Sequence, residues 1–163
     1  MQRLWSRFPL LVAVTVLCGA GPVRSPDDVK VTVVLILATE KDDGIDCELK
    51  EIAKCIQQKH PQLKSFRLEE LSRKYISIGK TETFPLVEKQ VMTVAIRHAA
   101  DDKGQVAISI RPPLAENNVN YTTCCSKYLP IVTKYRTKDN EQLILAISIG
   151  CCKPKPASES PKE

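Results

Sequence analysis

The sequence lacks the short motifs that mark most small hydrolases, zinc peptidases and thiol oxidoreductases. None of G-x-S-x-G, H-E-x-x-H and C-x-x-C occurs in its 163 residues, and its only two histidines are His60 and His98. Its acidic pairs are adjacent, as in Asp42-Asp43, whereas a calcium loop needs acids at alternating positions. We therefore predict no catalytic residue, no set of metal ligands and no cofactor.

The chain also lacks an apolar run long enough to cross a membrane. Residues 8–17 are apolar apart from Pro9 and Thr15, but a spanning helix needs about 20 such residues. Arg3 and Arg7 precede this run, and small residues, Gly19 and Ala20, end it. This pattern is typical of an export signal, so we predict a signal peptide over residues 1–20, cleaved after Ala20. The mature protein is then secreted or periplasmic and not transmembrane.

A strong net charge is missing as well. Cleavage after Ala20 removes Arg3 and Arg7 from the 24 basic residues, leaving 22 against 19 acidic ones, a net charge of +3. The lysines are interspersed with acids, as on a solvated surface. So small a surplus does not support nucleic acid or an anionic membrane as a partner.

The mature chain has the composition of one domain with unstructured ends. Residues 21–28 carry two prolines, a serine and two aspartates, and predict a flexible segment. Residues 153–163 read KPKPASESPKE, which has no apolar residue larger than alanine or proline to offset the entropy of ordering. Residues 29–152 contain no internal repeat and no linker, so we predict a single domain there.

Strand and helix patterns alternate at the start of this domain. Residues 29–39 are β-branched and almost continuously apolar, which predicts a strand covered on both faces. Residues 46–59 predict a helix that Asp46 caps and Pro61 stops, with one apolar stripe. The stripe consists of Leu49, Ile52, Ala53 and Ile56.

After the helix, apolar residues recur at every second position. Strands are predicted at 66–68, 75–78 and 86–98. A hairpin pairs 96 with 106, 94 with 108 and 92 with 110, and places six apolar residues on one face. A second hairpin pairs 129–136 with 142–150, whose second strand is apolar on both faces except at Ser148 and is therefore central. The fold class is α+β: a mostly antiparallel sheet of about seven strands with one main helix, in the order β-α-β and then a run of strands.

Six cysteines follow the predicted cleavage site, and four of them form two doublets. They are Cys47, Cys55, Cys124, Cys125, Cys151 and Cys152. The register that sets Cys124 opposite Cys152 also sets Cys125 opposite Cys151, at one end of the second hairpin. Cys47 and Cys55 are about 12 Å apart along a continuous helix, too far for one disulfide, so each requires a different partner. Exported cysteines of this number predict disulfides, although six allow 15 pairings.

Other interpretations of these cysteines stay open. They could bind a metal or act in redox chemistry, one of them could form a nucleophilic dyad with His98, and the helix cysteines could be small buried hydrophobic residues. The absence of catalytic motifs favours a structural or binding role. The partner is unknown, and an exposed edge of the sheet is the surface we expect a protein partner to use.

Overall fold

The computed structural model describes residues 28–124 and 126–150. The predicted signal peptide, the segment 21–27 and the tail 153–163 lie outside the described residues, as do Cys125, Cys151 and Cys152. Within this part of the chain, no helix is long and apolar enough to cross a membrane.

The described residues form eight strands, one α-helix and two short 3₁₀ segments. The 3₁₀ segments are Cys47–Leu49 and Val87–Lys89, and α1 is Lys50–Gln57. The strands are β1 (Asp28–Thr39), β2 (Ser65–Ser77), β3 (Thr81–Pro85), β4 (Val91–His98), β5 (Gln105–Arg111), β6 (Val119–Cys124), β7 (Tyr128–Arg136) and β8 (Gln142–Gly150).

These strands make two four-stranded antiparallel sheets rather than one. The first sheet has the order β2-β1-β8-β7 and the second has the order β3-β4-β5-β6. Helix α1 packs on one face of the first sheet, and the second sheet packs on the opposite face. The architecture is therefore α+β-like, as predicted, but the prediction of a single sheet of about seven strands is wrong.

The central strands β1 and β8 are buried on both faces. Side chains alternate along a strand, so Val33 and Leu35 pack against the second sheet while Val34 and Ile36 pack against the helix. The same alternation holds in β8, where Leu145 faces the second sheet and its neighbours Ile144 and Ala146 face the helix. The prediction of a central last strand is confirmed. The first strand is covered on both faces over residues 33–38, which is part of the predicted range 29–39.

The helix is shorter than predicted and begins differently. Its stripe of Leu49, Ile52, Ala53 and Ile56 is buried as expected. Asp46 does not cap it with its side chain. Asp46 Oδ2 instead accepts a hydrogen bond of 2.7 Å from the backbone N–H of Leu68, which lies on the edge strand β2. An outward-facing amide of an edge strand has no ladder partner of its own, and it competes for the carboxylate.

Three strand predictions need correction. The strands predicted at 66–68 and 75–78 are one strand, β2, which continues through a bulge at the point where its pairing with Leu35 and Ile36 shifts. Strands β3 and β6 were not predicted. Both are sheet edges with polar or proline-containing sequences, and edge strands need less apolar alternation than central ones.

The two hairpins test the predicted registers. In the first, Val94 pairs with Ile110 and Ile96 with Ile108, a shift of two residues from the predicted pairing. Such a shift leaves every side chain on its predicted face, and all six apolar residues are buried. The turn is centred later in the chain than predicted, since the N–H of Asp101 donates a hydrogen bond to the carbonyl of Gln105, and a bulge lies between Ile96 and His98. Asp101 Oδ1 also accepts hydrogen bonds from the N–H groups of Lys103 and Gln105. In the second hairpin, the predicted offset is confirmed from Tyr128–Ser148 to Val132–Ile144.

Truncation of Leu145 should measure how far stability depends on the contact between the two sheets. Its side chain is fully buried there, so Leu145→Ala is expected to lower the free energy of unfolding by about 2–5 kcal/mol. Val91→Ala is the control, since Val91 is 54% exposed. Urea denaturation measures both, and similar losses in the two variants would contradict the two-layer packing.

Candidate functional site

The three described cysteines lie in different parts of the fold. Cys47 and Cys55 are exposed on the helical layer, and Cys124 is half-buried at the end of β6. None of the three forms a disulfide with another. The interpretation of the helix cysteines as small buried hydrophobic residues is wrong, because both side chains reach solvent.

Cys124 belongs to a different sheet from the one predicted. It pairs with Gln105 of β5 in the second sheet, and the chain crosses to the first sheet between Cys124 and Tyr128. After the crossing, the N–H of Ser126 donates a hydrogen bond of 2.9 Å to the carbonyl of Ile149. The predicted run of Cys124 along the second hairpin is therefore wrong, but residue 126 does lie beside the end of β8.

His98 does not form a dyad with Cys124. His98 is exposed at the end of β4 and pairs with Ala107 of β5, so β5 lies between His98 and Cys124. Two strand spacings separate their backbones by about 10 Å, beyond hydrogen-bond reach. In residues 28–124 and 126–150, no three His, Cys, Asp or Glu side chains are grouped so as to hold a metal ion.

Three of the four sheet edges have charges, a proline or a bulge that hinders the addition of another strand. Strand β2 is bulged and highly charged, and the segment around Ile45 already pairs with it. Strand β3 has five residues, ends in Pro85, and its Thr83 carbonyl accepts a hydrogen bond of 2.6 Å from Lys74 Nζ. Strand β7 contains Pro130 and an irregularity after Val132. Charge, proline and bulges are the usual protection of an edge.

Strand β6 lacks this protection. Residues 117–126 read NNVNYTTCCS and contain no charged residue and no proline. β6 is the outer strand of its sheet, and its pairing with β5 is regular over all six residues. Val119 and Tyr121 are 40% and 44% exposed although they pair with buried isoleucines of β5. An accessible, flat and uncharged edge is therefore open to an extended chain.

A groove adjoins this edge. It has a volume of about 340 Å³ and lies between the β5–β6 loop and strand β7. Its apolar lining includes Pro112, Pro113, Leu114, Val119 and Ile131, and the charged residues Glu116 and Lys134 also line it. Leu114 is 65% exposed and has a left-handed backbone, φ 59°, which is rare for a branched apolar residue and is enriched at functional sites. We call β6 and this groove the β6 surface.

The pKa shifts of Glu88 and Tyr135 arise at a second feature, a contact that joins the two sheets. Glu88 precedes β4 with a left-handed backbone, φ 51°. The hydroxyl of Tyr135 in β7 donates a hydrogen bond to Glu88 Oε2, and the N–H of Lys138 donates one of 3.1 Å to Oε1. These bonds, the first above all, lower the pKa of Glu88, and the Glu88 carboxylate raises the pKa of Tyr135.

The third shifted group is Arg67. Its Nη2 lies 3.1 Å from Glu141 Oε2, and its Nη1 lies 2.6 Å from Glu69 Oε2. The hydrogen bonds to Glu141 raise the pKa of Arg67 most. The arginine is therefore neutralised by its own neighbours and does not offer a charge for a ligand.

Comparison of the chain with protein-family models, with curated proteins and with solved structures gives no match. The function must therefore be argued from the geometry of this chain alone.

The contact of Glu88 with Tyr135 should make stability depend on pH at both ends of the range. A lowered carboxyl pKa stabilises the fold above the ordinary value of 4.5, and this contribution is lost as the pH falls through the lowered pKa. A raised tyrosine pKa stabilises the fold below the ordinary value of 10.0. This contribution is lost as the pH rises through the raised pKa.

We therefore expect Glu88→Gln to lower the thermal midpoint at pH 7 and to have little effect at pH 2. The matched control is Glu116→Gln, an exposed glutamate on the β5–β6 loop. Thermal unfolding between pH 2 and pH 7 measures the difference. A constant difference between wild type and Glu88→Gln across that range would contradict the role of the carboxylate.

Proposed function

We propose that the mature chain is an exported, disulfide-bonded domain that binds a protein partner by strand addition at the β6 surface. The observation that carries the proposal is the uncharged, regular edge of β6 beside a groove that is partly lined by apolar side chains. Export is supported by the sequence pattern of residues 1–20. A binding role is supported over a Cys–His dyad because strand β5 lies between His98 and Cys124.

Strand addition uses the backbone of β6 for affinity. Six residues offer a row of N–H and C=O groups on the side away from β5, and an extended segment can pair with them. Side chains of the partner then alternate between the two faces of the second sheet. Those on the inner face lie in line with Val119 and Tyr121, next to the groove.

The residues that line the groove indicate which side chains of a partner it can hold. Its proline, leucine, valine and isoleucine side chains suit an apolar side chain of the partner. A charged residue opposite β6 would find no counter-charge in residues 117–126. The expected partner segment is therefore extended, about six residues long and uncharged, with one apolar side chain directed into the groove.

The disulfide proposal rests on the end of β8. The hydrogen bond from Ser126 to Ile149 lies one residue after Cys125 and two residues before Cys151. We therefore propose a disulfide between Cys125 and Cys151, which would fasten the crossing between the sheets to the end of the central strand. Cys47 and Cys55 require partners other than each other.

Intact mass measures the disulfide content directly. We expect the unreduced mature protein to be lighter than the reduced protein by two hydrogens for each disulfide. Peptide mapping without reduction should recover Cys125 linked to Cys151, and Cys125→Ser should release a thiol that reacts with an alkylating reagent. Six free thiols in the unreduced mature protein would overturn the proposal, as would a bound metal that a chelator removes.

A lysine in the centre of β6 should block strand addition. A phage-displayed library of extended peptides is the probe, and we expect it to yield uncharged, β-branched binders. Thr122→Lys should weaken their binding by about tenfold or more, because a lysine protects an edge. Leu114→Asp should also weaken peptide binding, because it places a charge in the lining of the groove.

The matched control is Thr93→Lys. Thr93 lies on the same outer face of the second sheet but on β4, which is paired on both sides. Thermal unfolding of each variant separates loss of binding from loss of the fold. Selected peptides that bind Thr122→Lys as tightly as wild type would overturn the proposal.

A further inference from the structure

Among the described residues, helix α1 covers only part of one face of the first sheet. The side chains under the helix include Val34 of β1 and Ala146 of β8. One step further along the same face, Thr32 pairs with Arg73 of β2 and with Ser148 of β8, which pairs in turn with Tyr128 of β7. These four side chains form a row across all four strands, about 14 Å from the first to the last.

A second row lies beyond the first. Lys30 pairs with Tyr75 of β2 and with Gly150 of β8 on the same face. The lysine stem crosses the glycine closely, since a Cβ atom at position 150 would lie 3.1 Å from Lys30 Cβ. Tyr75 and Tyr128, at opposite sides of the sheet, are 43% and 45% exposed. We call the two rows the bare face.

The bare face holds a cavity of about 310 Å³. Its lining combines two cations, three hydroxyl side chains and one aromatic ring, from Lys30, Arg73, Thr32, Ser126, Ser148 and Tyr128, together with Ile149 and Gly150. This volume is at the lower end of the range for small-ligand sites and suits one ring-sized unit. No carboxylate from residues 28–124 or 126–150 lines it.

The two cations are not neutralised by neighbours within the described residues. The ion pairs there involve Arg67 and Lys74, and neither Lys30 nor Arg73. The nearest acid on this face of β1 is Asp28, two residues from Lys30, and its carboxylate accepts a 2.7 Å hydrogen bond from the hydroxyl of Ser77. Two cations, Lys30 and Arg73, against the one carboxylate of Asp28 leave this part of the face with a net charge of +1 among the described residues, which complements an anion.

We infer that the bare face binds a uronate unit of an acidic polysaccharide. The planar guanidinium of Arg73 matches a carboxylate in a bidentate geometry, and Lys30 adds a second positive charge. The hydroxyls of Thr32, Ser126 and Ser148 can both donate to and accept from sugar hydroxyls. Tyr128 supplies a ring on which the C–H face of a sugar can pack.

The same features disfavour the other anionic polymers. An acidic peptide would need partners for its amides, but the backbone groups of the central strands β1 and β8 are used in their ladders on both sides. A nucleic acid would need more than two cations to neutralise its phosphates. A row of hydroxyls between two tyrosines suits a polyhydroxylated ring.

Titration of the purified full chain with soluble polygalacturonate tests the inference. We expect saturable binding that weakens as salt is added, and no binding to dextran, which is neutral. Arg73→Gln with Lys30→Gln should weaken binding by about tenfold or more. The control pair, Arg97→Gln with Lys103→Gln, removes the same charge from exposed positions of the second sheet and should leave the affinity unchanged.

Variants of Tyr128 distinguish recognition of a sugar ring from simple electrostatic attraction. Tyr128→Ala should weaken binding, and Tyr128→Phe should keep most of it, because the ring remains. Equal losses in the two charge-removing pairs would overturn the inference, as would tighter binding of polyglutamate or of single-stranded oligothymidine than of polygalacturonate. The measurement needs neither export nor the β6 surface, so its failure and the failure of the proposed function are distinguishable.

Discussion

The burial of β1 and β8 on both faces is the constraint on which the rest of this structure depends. Strands that are apolar on both sides need a covering layer on each, so one sheet with one helix cannot satisfy them. The second sheet covers one face completely. Helix α1, with eight residues, is about 12 Å long, whereas twelve-residue β1 is about 40 Å long. Where the helix ends, Thr32 and Ser148 replace the apolar residues, and the bare face results.

Two stacked sheets also create four edges, and the sequence protects them unequally. The edges at β2, β3 and β7 each carry charges, a proline or an irregular pairing, all of which hinder the addition of a further strand. The edge at β6 has none of these over residues 117–126. Protection of edges opposes the addition of other chains, so the edge at β6 is the one among the described strands that the proposed strand addition would use.

The sequence predicts the strongly patterned parts of this fold and not the connections between them. The double-sided burial of β1 and β8 and the stripe of α1 follow from runs of apolar residues at the right period. The two-residue shift of the first hairpin could not be foreseen, because alternation fixes a face and leaves two-residue shifts equivalent. Strands β3 and β6 were not predicted because short edge strands show little alternation of apolar and polar residues. The bare face needs the register of four strands at once, which no local pattern contains.

Both proposed surfaces meet at the crossing between Cys124 and Tyr128. Cys124 ends the edge strand β6, Ser126 lines the cavity of the bare face with a left-handed backbone, φ 66°, and Tyr128 begins β7. A short segment between two sheets loses little entropy when it is fixed covalently. Its conformation nevertheless sets the position of β6 relative to β7. A disulfide from Cys125 would act at this point. The disulfide proposed between Cys125 and Cys151 would therefore constrain the segment that joins the β6 surface to the bare face.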